Sequence, residues 1–455
     1  MDQDPSLRLT RRQLIQGASV AAASTALAGA ALPYVHVADD DTIQLALVGC
    51  GGRGTGAVGD AFASGVGPLK LVAMADLFAD RLEGSAGHLT QALKERADVP
   101  PERRFVGFDA YTRAMDCLKP GDVVILATPP AFRWVHYTYA IGKGLHVFME
   151  KPISVDGPSS RRMLHLAEQG SAKGLKAGVG LMCRHCVARG ALSERIRAGD
   201  MGEIILMRAY RMHDQIGYFA SDPKPDGITE MLYQTQRFHS FLWAGGGAYS
   251  DFYIHHIDEC CWMKGAWPIQ AHALGGRHYR GNSVDQNFDI YSVEYTFPDG
   301  TKLYLEGRCM RDCQNAFASY AHGSRGLAVI SENGHAPARS RILKGQTRDS
   351  AVAWAFEGRE PSPYVLEWRD LLTAIKDNTP YNEVQRGAEA SLVTVMGRMA
   401  AHTGQTITYD QALNHPVELA PNLDMLRADS PAPLQAGPDG KYPTPQPGRN
   451  GDREF

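Results

Sequence analysis

The sequence predicts an α/β fold built on a doubly wound parallel sheet, followed by a region of hairpin-linked strands. Three observations predict it. Apolar strand-like runs alternate with helical segments from residue 41 to 182. A glycine-rich turn joins the first run to the first helix. Beyond residue 200, strand-like runs follow one another across tight turns instead. The composition fits: 455 residues allow two or three domains, and 44% hydrophobic residues suffice for large cores. A balance of 47 Lys+Arg against 50 Asp+Glu excludes nucleic acid as the main partner, which would demand a basic face. No apolar run reaches the roughly 18 residues of a membrane span. Eight cysteines are too few for a disulfide scaffold at this length, yet six of them fall after residue 180.

The first segment reads as an address. Arg11-Arg12 with Leu14 precede residues 17–32, which are uncharged, small and apolar. Ala26–Ala28 and Ala28–Ala30 offer cleavage sites. The pattern resembles a twin-arginine export signal over residues 1–38, and it implies a periplasmic or otherwise exported protein. The mature chain is then expected to start between residues 29 and 41.

Ile43–Val48 reads as a buried parallel strand. Gly49-Cys50-Gly51-Gly52-Arg53-Gly54 follows as G-x-G-x-x-G, with a helix over Thr55–Ala63. The next strand, Leu69–Ala75, ends at Asp76, 22 residues beyond Gly54. Strand, glycine turn, helix, strand and acidic residue form a dinucleotide fingerprint in its expected context. Gly49 permits the tight turn, Gly51 lets the backbone approach a pyrophosphate, and Gly54 lets helix and strand pack closely. The helix N-terminus supplies amides and partial positive charge. Asp76 suits a ribose 2′-hydroxyl and repels a 2′-phosphate, which favours NAD; Arg53 and Arg81 leave NADP open. Strand 122–128 ends in Thr128-Pro129-Pro130, a helix spans 133–143, and strand 145–149 ends in Glu150-Lys151-Pro152. A helix over 158–173 and a strand over 176–182 complete the alternation. Ligands sit beyond the carboxyl ends of such strands, where Thr128, Lys151 and Cys183 project.

LALVGCGGRG, ATPPAFRWVHYTYAIGKGLHVFMEKPIS and GGGAYSDFYIHHID resemble the glucose-fructose oxidoreductase / inositol dehydrogenase / MocA family over residues 41–415. The resemblance implies a Rossmann NAD(P)-binding domain (41–182) and an α+β substrate domain (183–420). The second domain would carry a large, mostly antiparallel sheet that often forms a homo-oligomer interface. It implies hydride transfer between nicotinamide and a sugar or polyol carbon, with a small-molecule carbohydrate as substrate. Gly52, Pro129 and Glu150 join the cofactor-binding set with Gly49, Gly51, Arg53, Gly54, Asp76, Thr128 and Lys151, and His136 matches a position near the cofactor. Lys151, aimed by the following proline, would contact the reacting oxygen. Asp251 and His255 lie four apart on one helical face; the imidazole would take the hydroxyl proton and Asp251 would bind a neighbouring hydroxyl or the histidine. Ser250 or Asp251 could instead cap the helix, which is expected over Phe252–Met263. Asp258, three residues beyond His255, is assigned no role. An alternative activity is NAD-dependent glycoside cleavage by transient oxidation and elimination.

The sequence departs from the family where relatives carry glycine two residues after the aspartate: here it is Tyr253, expected to fill space near the site or to shift the helix start. The six late cysteines are the second departure. Disulfides or small buried residues are one reading, a thiol redox pair at Cys183/Cys186 another. A third is a metal or haem on ligands drawn from Cys183, His185, Cys186, His256 and Cys260. C-x-x-C-H haem attachment is absent, since Val187 follows Cys186.

In the second domain, residues 201–212 read as a strand edging the substrate cleft, and the polar, aromatic stretch 214–240 as a loop suited to hydroxyl-rich ligands. Strands over 269–276, 288–297 and 301–309, with Asp299-Gly300 between the last two, predict a hairpin. Helices over 364–378 and 384–402 are expected to return to the first domain. Residues 421–455, rich in Pro, Gly, Asp and Asn, are expected to be an extended tail that wraps a neighbour or is disordered.

Overall fold

The computed structural model describes residues 42–216, 219–278 and 280–455; the export signal assigned to residues 1–38 lies outside them. The first half alternates as predicted: β1 (Ile43–Val48), α1 (Gly52–Ala63), β2 (Leu69–Asp76), α2 (Ala79–Leu93), β3 (Arg104–Val106), α3 (Ala110–Asp116), β4 (Val123–Leu126), α4 (Arg133–Gly142), β5 (His146–Met149), α5 (Gly157–Ala172) and β6 (Ala177–Val179). All described neighbours in this sheet pair in parallel, in the order β3-β2-β1-β4-β5-β6. That is the doubly wound dinucleotide-binding order, with its switch point between β1 and β4. The strands are apolar on both faces because helices cover both. The last strand is shorter than expected. It ends at Val179, ahead of Gly180, where an added Cβ would lie 2.7 Å from the Glu150 carboxylate, and Cys183 falls in a 3₁₀ turn.

The second half contributes α6 (Val187–Arg197), β7 (Ile204–His213), α7 (Glu230–Gln236), α8 (Leu242–Gly245), α9 (Gly247–Lys264) and strands β8 (Gln270–Gly276), β9 (Ile290–Thr296) and β10 (Lys302–Cys309). Strands β11 (Ala316–Gly323), β12 (Leu327–Glu332), β13 (Arg341–Leu343), β14 (Val352–Ala355) and β15 (Ile407–Thr408) complete a sheet ordered β14-β13-β12-β11-β7-β10-β9-β8-β15. Every described pairing is antiparallel except β7 with β10. The hairpin between β9 and β10 turns at Asp299-Gly300, where Gly300 has φ +85°. One face is buried beneath α9 and α11 (Val384–Thr403), through Ala271, Ala273, Val293, Tyr295, Leu303 and Leu305. Helix α10 (Pro363–Lys376) instead packs on α1 and β6, and its Trp368 stacks on Phe148 with ring centroids 4.4 Å apart.

The tail differs from expectation: it packs on its own chain. Leu423, Ala432, Leu434 and Tyr442 are buried in a cluster with Phe132 and Trp243. Gln234 donates to the Leu434 carbonyl (2.7 Å), Tyr442 to Glu230 (2.6 Å), and Gln286 to the Pro443 carbonyl (2.8 Å). Glu454 accepts from the buried Arg398 through both oxygens (2.8 Å each) and lies 2.8 Å from His402 Nδ1. The anchors are isolated residues at irregular spacing, so no periodicity could show them.

Tyr253 does not enter the cleft. It points from α9 into the sheet, where a Cβ on Gly307 would meet its ring at 2.3 Å, and its hydroxyl lies 3.8 Å from Cys309 Sγ. Tyrosine on the helix and glycine on the strand thus fit each other, and the helix needs no shift.

Candidate active site

A cleft of about 740 Å³ opens at the carboxyl ends of β1, β2, β4 and β5 and is closed on the far side by the start of α9 and the end of β7. Its nucleotide end is built from the glycine turn. Gly49 has φ +97°, and an added Cβ would lie 2.6 Å from the backbone of Ala127; on Gly54 it would lie 2.0 Å from the Gly49 carbonyl oxygen. These two glycines are steric necessities. Gly51 and Gly52 meet nothing within 4 Å, so the backbone at the N-terminus of α1 faces open space. No side chain caps that terminus. Bare amides, open space and a helix dipole suit a pyrophosphate. Asp76 accepts from the Cys50 amide (2.6 Å) and the Phe78 amide (2.8 Å). Burial raises its carboxyl above the usual range, against the pull of those amides and Arg81. The residues therefore fit a dinucleotide whose ribose hydroxyls would meet Asp76. Arg53 is engaged elsewhere: it bonds Glu150 (2.6 Å) and Asp60 (2.7 Å) and lies over the Tyr364 ring.

At the other end, the ammonium of Lys151 donates to the Asp251 carbonyl (2.6 Å) and to Asp251 Oδ1 (2.9 Å). Asp251 Oδ2 lies 3.3 Å from His239 Nε2. Burial alone would raise the Asp251 carboxyl, but Lys151 and His239 together outweigh it and hold it well below the usual range. Because α9 begins at Gly247, Asp251 lies inside the helix, one turn along, and caps nothing. His255, the next turn on, lines the same cleft and keeps Nδ1 free of any hydrogen bond among the described residues. Burial, then Lys151 and Arg211, push its pKa well below 6.5, so the ring is neutral at neutral pH. A neutral imidazole beside a fixed ammonium and carboxylate can accept a hydroxyl proton.

One sequence-predicted residue acts one step removed. His136 does not line this cleft. It is buried between Tyr111 and Phe132, and its Nδ1 lies 3.1 Å from Thr128 Oγ1, so it fixes the rotamer of Thr128, which does line the cleft. Burial, then Arg133, drive its pKa down to about 3. Asp258 is buried and accepts two bonds from Arg184 Nε (3.0 Å each) and one from Arg184 Nη2 (2.8 Å).

The metal alternative does not assemble. His185 sits between Asp370 (2.6 Å) and Glu383 (3.3 Å), which against burial raise its pKa to about 9. Cys186 donates to Glu360, Cys183 lies 3.7 Å from His335 Nδ1, and His256 is buried against Phe317. Among the described residues no three His, Cys, Asp or Glu side chains gather as a metal site. The disulfide reading is also corrected: all eight cysteines are free, Cys183, Cys186, Cys260 and Cys261 being buried. Burial pushes the Cys183 thiol up and the Cys186 thiol up to about 11, so neither has thiolate character for a redox pair.

Sequence reasoning missed Arg211, His335 and Tyr364, which also line the cleft. Arg211 fell within the strand expected to edge the cleft, and His239 within the polar loop. His335 comes from a loop far along the chain with no local signal, and Tyr364 from the first turn of α10, a helix whose sequence shows nothing that points to the cleft.

No protein-family model matches the chain. Among curated proteins, it is 25% identical over 197 residues to the rhizopine catabolism protein MocA of Rhizobium meliloti, covering 43% of this chain and 55% of that protein. It is 27% identical over 162 residues to an inositol 2-dehydrogenase of Corynebacterium glutamicum, covering 35% and 41%. The chain thus spans about half the length of the curated relatives it matches. Solved structures share the fold over 81% of this chain and 99% of theirs. They include the aldose-aldose oxidoreductase of Caulobacter crescentus (TM-score 0.61, 17% identity) and myo-inositol 2-dehydrogenase of Lactobacillus plantarum (0.58, 20%). A levoglucosan dehydrogenase solved with NADH and levoglucosan matches equally well (0.61, 16%, with the same coverage).

Proposed function

We propose that the chain belongs with the glucose-fructose oxidoreductase / inositol dehydrogenase / MocA family and that it is an NAD-dependent oxidoreductase acting on a hydroxyl-bearing carbon of a sugar or polyol, a reading supported by its likeness to MocA and inositol 2-dehydrogenase. The observation that carries this reading is the Lys151–Asp251 contact of 2.9 Å, which joins the Glu-Lys-Pro and D-x-x-x-H motifs inside the cleft headed by the glycine fingerprint. Bound nicotinamide supplies the hydride acceptor or donor. Lys151 neutralises developing negative charge on the substrate oxygen. His255 takes that hydroxyl's proton, and Asp251, fixed by Lys151 and His239, orients the substrate beside it. NAD over NADP is supported by Asp76 and by the engagement of Arg53 with Glu150 and Asp60.

The test is nicotinamide binding by calorimetry, followed by absorbance at the reduced-nicotinamide band with a panel of sugars and polyols. Binding together with reduction by at least one of them is expected, and His255→Ala should abolish turnover while nicotinamide still binds. Protein that binds no nicotinamide refutes the reading. We also propose export by the twin-arginine route, supported by Arg11-Arg12 and the uncharged stretch behind them; replacing both arginines by lysine should retain the protein in the cytoplasm. We also propose a homo-oligomer through the outer face of the second sheet, where Leu274 and Tyr304 are exposed.

A further inference from the structure

The substrate end of the cleft carries one cation more than its neighbours neutralise. Lys151 is matched by Asp251, and Asp251 has both oxygens engaged, one by Lys151 and the other by His239. Arg211, on β7, lines the same cleft. Its guanidinium lies over the Phe317 ring (4.5 Å) and the Phe252 ring (5.6 Å), which hold it in place by cation–π contact. It donates no hydrogen bond and forms no ion pair among the described residues, and its Nε is buried without a partner. A partly buried charge left unpaired is costly unless something that binds there completes it. The nearby imidazoles cannot do so: Arg211 itself helps hold His255 and His335 neutral. The other carboxylates lining the cleft that have fixed partners, Asp76 and Glu150, stand at its nucleotide end.

Resting on the dehydrogenase reading, we propose that the substrate is a sugar acid, a polyhydroxy compound whose carboxylate pairs with Arg211 while its reacting hydroxyl lies between Lys151 and His255. A guanidinium presents a planar fork that matches a carboxylate through two parallel bonds, and Phe317 and Phe252 fix that plane in advance. A carboxylate there also offsets the field of Arg211 at His255, which makes the imidazole a stronger base only when the right substrate is bound.

The experiment compares matched pairs, glucuronate with glucose, galacturonate with galactose and gluconate with glucitol, in the NAD-loaded protein, with glucose 6-phosphate as a further anion. Wild type is expected to favour at least one acid over its neutral partner in kcat/KM by about ten- to a hundredfold, the worth of a charge-assisted bond. In Arg211→Met that ratio should fall toward one, mainly through KM; Arg211→Lys should recover part of it. The acid limb of the pH profile should lie higher with the acid than with its neutral partner. Equal or better use of every neutral partner, a preference for the phosphate, or an unchanged ratio in Arg211→Met overturns the proposal. Calorimetric titration of wild type with the same pairs decides the matter even if a variant fails to fold. It also separates the two readings: acid binding without any nicotinamide binding sinks the dehydrogenase and leaves the anion site, whereas turnover of neutral sugars alone sinks the anion site.

Discussion

Glu454→Gln removes the charge from the most buried ion pair of the tail while keeping its shape. In the wild type, Glu454 accepts from Arg398 at 2.8 Å through both oxygens and lies against His402. Arg398 also holds the Gly246 carbonyl (3.0 Å) and the Val155 carbonyl (2.9 Å), at the start of α9 and just beyond the Glu-Lys-Pro turn. Burial would raise the Glu454 carboxyl, but Arg398 and His402 outweigh it and bring the pKa from 4.5 to about 2. That difference corresponds to about 3 kcal/mol at roughly 1.4 kcal/mol per pH unit. It agrees with the roughly 3–5 kcal/mol expected when one partner of a buried pair is removed. A carboxyl depressed on folding stabilises above its unfolded pKa, and the contribution is lost as pH falls through the folded one. The wild-type advantage should therefore be full at pH 7, shrink between pH 4.5 and 2, and vanish below. Urea unfolding followed by tryptophan fluorescence at stepped pH measures it. A variant within about 0.5 kcal/mol of wild type at pH 7, the range of ordinary surface changes, would refute the reasoning.

Gly54→Ala should abolish nicotinamide binding by calorimetry, because its Cβ would sit 2.0 Å from the Gly49 carbonyl oxygen and spread the turn. Gly307→Ala should destabilise by about 1–3 kcal/mol through overpacking against Tyr253, seen as a lower urea midpoint. With a neutral substrate, activity should hold as pH falls through 6.5, since His255 protonates only well below that value; a loss of activity centred near pH 6.5 would contradict its environment. Titration of the native protein with a thiol reagent should find only Cys117 and Cys313 reacting readily, and unfolding should release the buried thiols.

The first sheet was legible almost strand by strand, because a parallel strand covered on both faces is a continuous apolar run and the glycine turn marks where the helix starts. Lys151, Asp251 and His255 were singled out for a different reason: they stand in the Glu-Lys-Pro and D-x-x-x-H segments that carry the family resemblance, and the fold brings them into one cleft. His335 was not, since it reaches the cleft by tertiary placement alone, and Arg211 lay in the strand expected to edge the cleft without any feature that set it apart there. The tail was misread because it is held by isolated anchors such as Tyr442 and Glu454, each bonded to a residue far away in sequence, and composition does not record such pairings. The cysteines misled by their grouping in sequence: Cys186 faces Glu360 while Cys260 lies in the core beneath the second sheet.

Helix α10 has a consequence for the order in which the molecule can be made. Phe148, on β5 of the first sheet, is covered by Trp368, which leaves the ribosome some 220 residues later. At about 5–20 residues per second, that strand waits tens of seconds or less with an apolar face uncovered. During synthesis the nascent first sheet is thus a client for whatever shields sticky surfaces. A chain stopped before residue 363 would keep every glycine of the G-x-G-x-x-G turn and still expose that face.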